Sequence, residues 1–403
     1  MNVDFAWVIL GILGAFIVYS LLSKVIDRSL LTLPILFMGL GYALSEPLHA
    51  AAPPEVLHEG KRLLAEITLV LVLFSDASRV RFARLRQNWK LPSRMLLIGL
   101  PLSIALGTLV TFLVNPGSGF AMALLTAAVL TPTDAALGQA VMADPDVPER
   151  LSETINVESG LNDGLVLPFV LLGAILASAG MAGAQTDGLA LAAITQIVLG
   201  PVAGIVVGWS VAKAMDLAQS RGWVYEAAEG VVFLAAAFAA YMAAEVIGGN
   251  GFIAAFVAGM VFANSYKHDI RFVRDFMEGA GQLLTMAAFL VFGGLLLPDG
   301  LAHASARAVI LAVLFLTVVR VGAIWLSLLG TGLATREKLF LGWFGPRGLA
   351  SILFTLVIMD EFDFPNEQEL LACVSMTVAL SILAHGLTST PLAKRIGKSG
   401  KKA

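Results

Sequence analysis

Charged residues and cysteines are both scarce in this chain of 403 residues. Lys, Arg, Asp and Glu together make up 14% of it, where a soluble globular chain has roughly a quarter. The single cysteine, Cys373, excludes an internal disulfide, and the five scattered histidines form no metal-site spacing. We therefore expect no cofactor and no resident structural metal. What is abundant is hydrophobic sequence, at 58% of residues, which indicates a polytopic membrane protein.

Apolar stretches long enough to cross a bilayer as helices recur along the whole chain. The first has no basic leader and no small-residue cleavage site, so it is predicted to be a retained helix and not a signal peptide. The sequence predicts an all-α membrane protein with about thirteen transmembrane spans, at residues 3–22, 29–45, 63–78, 95–114, 118–143, 151–179, 188–212, 226–247, 251–265, 280–297, 305–330, 338–359 and 368–390.

The basic residues support this count and give an orientation, because cytoplasmic loops collect Lys and Arg. With the C-terminus inside and the N-terminus outside, 21 of the 26 basic residues fall in cytoplasmic loops and 3 in outer ones. We expect one transmembrane domain, residues 1–392, in the cell membrane, and a short basic cytoplasmic tail, residues 393–403. The expected contacts of such a chain are membrane lipid and small ions, with no nucleic-acid partner.

Two basic residues remain, and both lie inside apolar spans: Arg320 and Arg347. An ionisable side chain in a membrane span is costly and usually pairs inward or marks a pathway. The acidic residues deepest in apolar sequence are Asp134, Glu158 and Asp163. A further acidic residue, Asp76, lies three residues before the cytoplasmic end of span 3 and is interpreted as an interface residue.

Residues 158–163, "ESGLND", place polar groups within predicted span 6. Residues four apart share a helix face, so Glu158 lies under Asn162, and Ser159 lies under Asp163. The simplest structural interpretation is that all four join helices by hydrogen bonds, which we favour for the Glu158/Asn162 pair. For Asp163, which has no obvious permanent partner in the sequence, we favour a functional role.

Two spans contain helix-breaking sequence. "TPTD" (131–134) places a proline between threonines in span 5, and "GWFGPRGLAS" (342–351) places glycines around a proline in span 12. Unwound backbone survives in a bilayer only where it is buried or lines a cavity. Paired broken helices in two halves of a chain indicate a transporter built from inverted repeats. The predicted repeats are six-helix halves at about residues 3–179 and 226–390.

"TPTD" followed by "ESGLND", Arg320 and "GPRG" resembles the monovalent cation/proton antiporters, specifically the sodium–proton exchanger branch with an Asn-Asp pair. "GNGFIAAFVAGMVFAN" (249–264) fits the same family. The resemblance implies that Asp163 carries either a proton or a cation. It also implies that Asp134, the Ser159 hydroxyl and Thr133 complete an oxygen-rich site for a small hard cation such as Na⁺.

The resemblance also implies supporting roles around this site. Glu158 would pair with Arg320 and orient Asn162, and Arg347 would neutralise carbonyls at the break in span 12. Gly164 follows the motif where the family usually has alanine or proline. Family members are commonly homodimers, so a homodimer is expected.

The function implied is secondary antiport, not enzymatic catalysis: Na⁺ or Li⁺, with K⁺ as a further candidate, exchanged for H⁺ by alternating access in pH and sodium homeostasis. Asn162 stands where electrogenic relatives carry a second aspartate, which implies electroneutral exchange. Three alternatives stay open at this point: a Na⁺-coupled symporter of an organic anion, a membrane-embedded aspartyl enzyme and a channel.

Overall fold

The computed structural model describes residues 3–26, 31–82, 89–134, 137–138, 147–182, 186–268 and 271–400. Over these ranges every regular element is helical. The helices are α1 (Val3–Ile26), α2 (Leu33–Ala43), α3 (Ser45–Ala51), α4 (Pro54–Arg79), α5 (Lys90–Val114), α6 (Gly119–Val129), α7 (Glu149–Ala182), α8 (Thr186–Ser220), α9 (Glu226–Val246), α10 (Gly251–Ser265), α11 (271–302), α12 (Ala306–Ser327), α13 (Thr335–Trp343), α14 (Leu349–Glu361) and α15 (Glu367–Gly400).

The all-α prediction is confirmed, and each predicted span coincides with one or more of these helices. Eight helices of the described ranges are long and apolar enough to cross a membrane, with stretches of 20 to 31 residues. These are α1, α5, α7, α8, α9, α11, α12 and α15. The count of thirteen spans and the inverted relation of the two halves stay predictions. The predicted tail is helical through Gly400, because α15 continues without a break.

Both predicted helix breaks are present. In span 5, α6 ends at Val129 and residues 131–134 are not helical. Residues 137–138 are helical again, while 135–136 and 139–143 of the predicted span lie outside the described residues. In span 12, α13 ends at Trp343 and α14 begins at Leu349. Proline and glycine at these points remove helix hydrogen bonds, as the sequence indicated.

The helices pack as two groups that meet at α4, α7 and α14. In the first group α10 packs against α4, α8 and α9, and α11 packs against α2. In the second group α6 lies between α5 and α7, and α15 packs against α12 and the end of α11. Glycines at 200, 204 and 208 let α8 approach the backbone of α10, since a side chain there would press on α10 carbonyls. Helix α14 packs against α4 and joins the two groups beside α7.

Basic side chains cap the ends of helices near the predicted cytoplasmic side. Arg81 donates to the Ala263 carbonyl, Lys213 donates to the Ser265 carbonyl, and both acceptors lie at the C-terminal end of α10. Arg94 donates to the Ser327 carbonyl at the end of α12. A cation at a helix C-terminus meets free carbonyl groups and the negative end of the helix dipole. These contacts place the basic loops together, in agreement with the distribution of charge along the sequence.

Candidate functional site

The two helix breaks interlock. The Asp134 backbone N–H donates to the Pro346 carbonyl at 2.8 Å, and the Leu349 N–H donates to Asp134 Oδ2 at 2.8 Å. Arg347 Nη1 donates to the Pro132 carbonyl at 3.2 Å. Backbone groups freed by each break are thus satisfied by the other break, as buried polar groups in a membrane require. This crossing fixes the backbone and one carboxylate oxygen of Asp134.

Two glycines make room for charged side chains at the crossing. A Cβ at Gly345 would overlap the guanidinium group of Arg320, and a Cβ at Gly348 would overlap the carboxylate of Asp134. Lack of space at the crossing therefore accounts for residues without a side chain at both positions.

Glu158 and Arg320 form a buried two-pronged ion pair. Arg320 Nη1 donates to Glu158 Oε1 at 2.7 Å and Nη2 donates to Oε2 at 2.9 Å. Only 1% of Glu158 and 3% of Arg320 is exposed. Arg320 follows directly after the π-helical turn Phe315–Val319 of α12. Such turns widen a helix locally and are frequent at functional sites.

Thr133 connects the two faces of the "ESGLND" motif. Its hydroxyl donates to Glu158 Oε2 at 3.2 Å and lies 3.1 Å from the Ser159 hydroxyl. Asn162 Nδ2 donates to the same Thr133 hydroxyl and, at 3.2 Å, to Glu158 Oε1. The sequence assigned Glu158 and Ser159 to separate faces, and the structure joins them through this threonine of the broken span. The carbonyl oxygen of Asn162's side chain has no hydrogen-bond partner among the described residues.

Asp163 is a buried carboxylate whose charge is not compensated by a fixed partner. It is 7% exposed, and its Oδ1 has no hydrogen-bond partner among the described residues. The negative charges of Asp76, Asp134 and Glu158 act on it, and the positive charge of Arg347 acts in the opposite direction. A buried oxygen without a donor costs free energy. A proton or a cation bound at Asp163 would remove this cost.

Asp76 lies in the surroundings of this site. The sequence interpretation missed this placement of Asp76. It pairs with Arg79 at 3.6 Å, as expected for an interface residue, yet its charge also acts on Asp163 and Asp134. The reason is a close approach of α4 to α7: a Cβ at Gly160 would lie 3.5 Å from the Asp76 carbonyl oxygen. The rule that ionisable residues in apolar spans are functional by default would have found Asp76.

Gly164 is covered by a phenyl ring. A Cβ on Gly164 would overlap the ring of Phe256, which projects from α10 within the stretch 249–264. The glycine lets α10 press directly on the α7 backbone one residue after Asp163. The departure from the usual alanine or proline therefore has a local packing reason.

In the described part of the chain, no three His, Cys, Asp or Glu side chains converge closely enough to hold a metal ion. Both Asp134 carboxylate oxygens face backbone N–H groups, from Leu349 at 2.8 Å and Leu137 at 3.4 Å. A transported cation at Asp163 would thus need hydroxyl oxygens in addition to carboxylates. Ser159 and Thr133 have buried hydroxyl oxygens, 2% and 0% exposed, that lie 3.1 Å from each other.

Residues 6–395 match the family described as "Sodium/hydrogen exchanger, transmembrane". The chain is 25% identical over 391 residues to the K⁺/H⁺ antiporter NhaP2 of Shewanella sp. (strain ANA-3), covering 95% of this chain and 66% of that relative. It is 26% identical over 389 residues to the Na⁺/H⁺ antiporter ApNhaP of Aphanothece halophytica, covering 92% and 70%. The chain thus spans just under two thirds of the length of the first of these relatives.

Among solved structures, the sodium proton antiporter MjNhaP1 from Methanocaldococcus jannaschii at pH 8 matches with a TM-score of 0.77. The match covers 98% of this chain and 99% of that one, at 18% sequence identity. At this identity the likeness concerns the fold alone. The overall arrangement of the helices is therefore that of this solved structure.

Proposed function

The chain belongs to the transmembrane sodium/hydrogen exchanger family, and from this membership and the site around Asp163 we propose that it exchanges a monovalent cation for H⁺ by alternating access. The observation that carries the proposal is the state of Asp163, a buried carboxylate with an unpartnered oxygen beside the crossing of two broken helices. Such a carboxylate binds one positive ligand at a time, and that ligand is either a proton or a monovalent cation.

Exchange follows from competition at one carboxylate. A proton on Asp163 removes the charge that attracts a cation, and a bound cation displaces the proton. If only the loaded forms pass from one face of the membrane to the other, each ion that moves inward requires the other to move outward. Such coupling needs no ATP, because the gradient of one ion drives the movement of the other.

The proposed ligands of the cation are oxygen atoms of Asp163, Asp134, Ser159 and Thr133. Hydroxyl and carboxylate oxygens suit hard monovalent cations. Glu158 and Arg320 support this site without binding the cation, because each already satisfies the other's charge. Arg347 stabilises the crossing through its bonds to the Pro132 and Gly345 carbonyls.

We propose that transport is electroneutral. Asn162 carries no charge, and its amide donates to Thr133 and Glu158. Asp163 is then the carboxylate that exchanges its proton, so one proton leaves for each cation that binds. Na⁺, Li⁺ and K⁺ are all candidate cations, since the relatives above are named for Na⁺/H⁺ and K⁺/H⁺ antiport.

The proposed setting is the cell membrane, with the N-terminus outside and the C-terminus in the cytoplasm, and the proposed assembly is a homodimer. Support for a second copy comes from α1, the least buried of the long apolar helices of the described chain. It exposes a row of large apolar side chains to lipid or to a partner: Trp7, Leu10, Leu13, Ile17, Leu21 and Val25.

The test is ion exchange by purified protein in liposomes that contain a pH-sensitive dye. We expect the internal pH to change when Na⁺, Li⁺ or K⁺ is added outside, and the rate to be independent of an imposed membrane potential. Asp163→Asn should abolish this change while the protein still folds. The control is Asp299→Asn, an exposed aspartate of α11 outside the site.

Absence of a pH change with all three cations over the whole pH range, in protein shown to be folded, would refute antiport. Full activity of Asp163→Asn would refute the assignment of the carrier carboxylate. A rate that follows the imposed potential, with net current, would refute electroneutrality alone.

A further inference from the structure

A polar face of α15 runs along the break in span 12. It carries Ser381, His385 and Thr388, at helical spacings of four and three residues. These side chains contact residues at both ends of the break. The Arg347 backbone N–H donates to Ser381 Oγ at 2.7 Å, and the Trp343 indole N–H donates to Thr388 Oγ1 at 3.0 Å.

His385 lies at the centre of this face and is 1% exposed. Its Nε2 is 2.9 Å from the carbonyl oxygen of Trp343, the last residue of α13. A carbonyl oxygen only accepts, so in the tautomer with its hydrogen on Nε2 the imidazole donates to Trp343 and Nδ1 accepts from the Ser381 hydroxyl. The imidazole also stacks on the Trp343 indole, with ring centroids 4.9 Å apart. The end of α13 is therefore held by a hydrogen bond and by ring contact together.

The other ring nitrogen ties His385 to Ser381. Nδ1 lies 3.2 Å from the Ser381 hydroxyl and 2.9 Å from the Ser381 carbonyl oxygen. The Ser381 hydroxyl is the same group that accepts from the Arg347 N–H. His385 and Ser381 thus hold the residues on either side of Gly345 and Pro346 to one rigid helix.

What these two residues hold is the part of the chain that aims Asp134. The Pro346 carbonyl accepts from the Asp134 N–H, and the Leu349 N–H donates to the Asp134 carboxylate. Inside the break the Gly345 N–H donates to the Trp343 carbonyl at 2.8 Å and Arg347 Nη1 donates to the Gly345 carbonyl at 3.2 Å. The segment is not a continuous helix, so bonds from α15 add to these in fixing its geometry. A change of Trp343 or Arg347 position would move Pro346 and Leu349, and Asp134 with them.

We propose that His385, together with Ser381, is a positioning residue that fixes the break in span 12 and thereby sets the affinity of the Asp163/Asp134 site for its cation. The inference rests on the proposed antiport function. A buried histidine costs free energy unless its ring nitrogens are hydrogen-bonded. Nε2 contacts the Trp343 carbonyl of the segment that is positioned, and Nδ1 contacts Ser381, whose hydroxyl accepts from the Arg347 N–H of the same segment.

The test compares four variants by cation-dependent exchange in liposomes. His385→Leu keeps bulk and removes the donor, while His385→Gln keeps a neutral donor that can reach the Trp343 carbonyl. Ser381→Ala removes the acceptor of the Arg347 N–H. The matched control is Thr377→Val, one turn earlier on α15, whose hydroxyl donates to the Cys373 carbonyl of its own helix.

We expect the KM for Na⁺ to rise about tenfold in His385→Leu and in Ser381→Ala, the loss expected from one buried hydrogen bond, with little change in maximal rate. His385→Gln should restore most of the affinity, and Thr377→Val should keep the wild-type KM. A second measurement does not depend on transport. The Na⁺ concentration needed to raise the melting temperature of the purified protein should increase by the same factor.

The inference fails if His385→Leu and Ser381→Ala keep the wild-type KM, if His385→Gln is as impaired as His385→Leu, or if Thr377→Val raises the KM equally. If His385→Leu does not fold, Ser381→Ala decides the question. Failure of the wild-type protein to exchange any cation would instead overturn the proposed function, and the Na⁺-dependent melting shift would still test the positioning role.

Discussion

Replacing Gly348 by alanine perturbs Asp134 and little else. An added Cβ would lie 2.8 Å from Asp134 Cγ and 3.0 Å from Asp134 Cβ, where ordinary contacts are at 3.4–4 Å. The alanine must therefore displace the Asp134 side chain or open the crossing between the two breaks.

The size of the effect follows from this geometry. The atom nearest to the added Cβ is Asp134 Oδ2, so to restore ordinary contact the carboxylate must retreat by about 1.4 Å, which disturbs its hydrogen bond from the Leu349 N–H. Misplacement of a functional group by about 1 Å can cost about a hundredfold in rate. We expect the efficiency of cation exchange, maximal rate over KM, to fall by about tenfold to a hundredfold.

The assay is the dye-based exchange measurement in liposomes, over a range of Na⁺ concentrations. The control is Gly322→Ala on α12, where an added Cβ has no neighbouring atom within 4 Å. Since alanine favours helix by about 1 kcal/mol over glycine, this control should fold and transport at least as well as the wild type. Wild-type exchange by Gly348→Ala would refute the claim that Asp134 must lie where the crossing places it.

Three further predictions concern side chains near the site. Glu158→Gln leaves Arg320 buried without its counter-ion and should cost about 3–5 kcal/mol of stability, measured by thermal unfolding. Adding Arg320→Gln should recover part of this loss, and no recovery would contradict the pairing. Asp76→Asn removes a negative charge that acts on Asp163 and should raise the KM for Na⁺ severalfold at alkaline pH, where protons no longer compete for Asp163. An unchanged KM under that condition would exclude Asp76 from the site. Gly164→Ala should lower stability by about 1–3 kcal/mol through overpacking against Phe256, and Phe256→Leu in the same protein should restore most of it if ring contact is the cause.

The need of Arg320 and Glu158 for partners could be anticipated from the sequence, because both lie inside apolar spans and a buried charge needs a partner. That Glu158 is the partner of Arg320 was implied by the family resemblance, since the two residues are 162 positions apart. The positions of the breaks could also be anticipated, since proline and glycine act locally on the backbone. The need for a partner and the position of a break are each inferred from one segment at a time.

Contacts between distant segments could not be anticipated in the same way. The bond from the Leu349 N–H to Asp134 joins residues 215 positions apart, and no local pattern specifies that the two breaks interlock. The approach of α4 that places Asp76 near Asp163 depends likewise on helix packing. His385 gave no signal, because a lone histidine in an apolar span has no partner that the sequence identifies.

The central claim is that a proton and a cation compete for Asp163, and the most direct test is the pH dependence of the KM for Na⁺ in liposomes. Simple competition predicts that, on the acid side, the KM rises about tenfold for each unit of pH decrease while the maximal rate at saturating Na⁺ stays constant. A KM that is independent of pH, with a maximal rate that falls on acidification, would contradict competition at a single carboxylate.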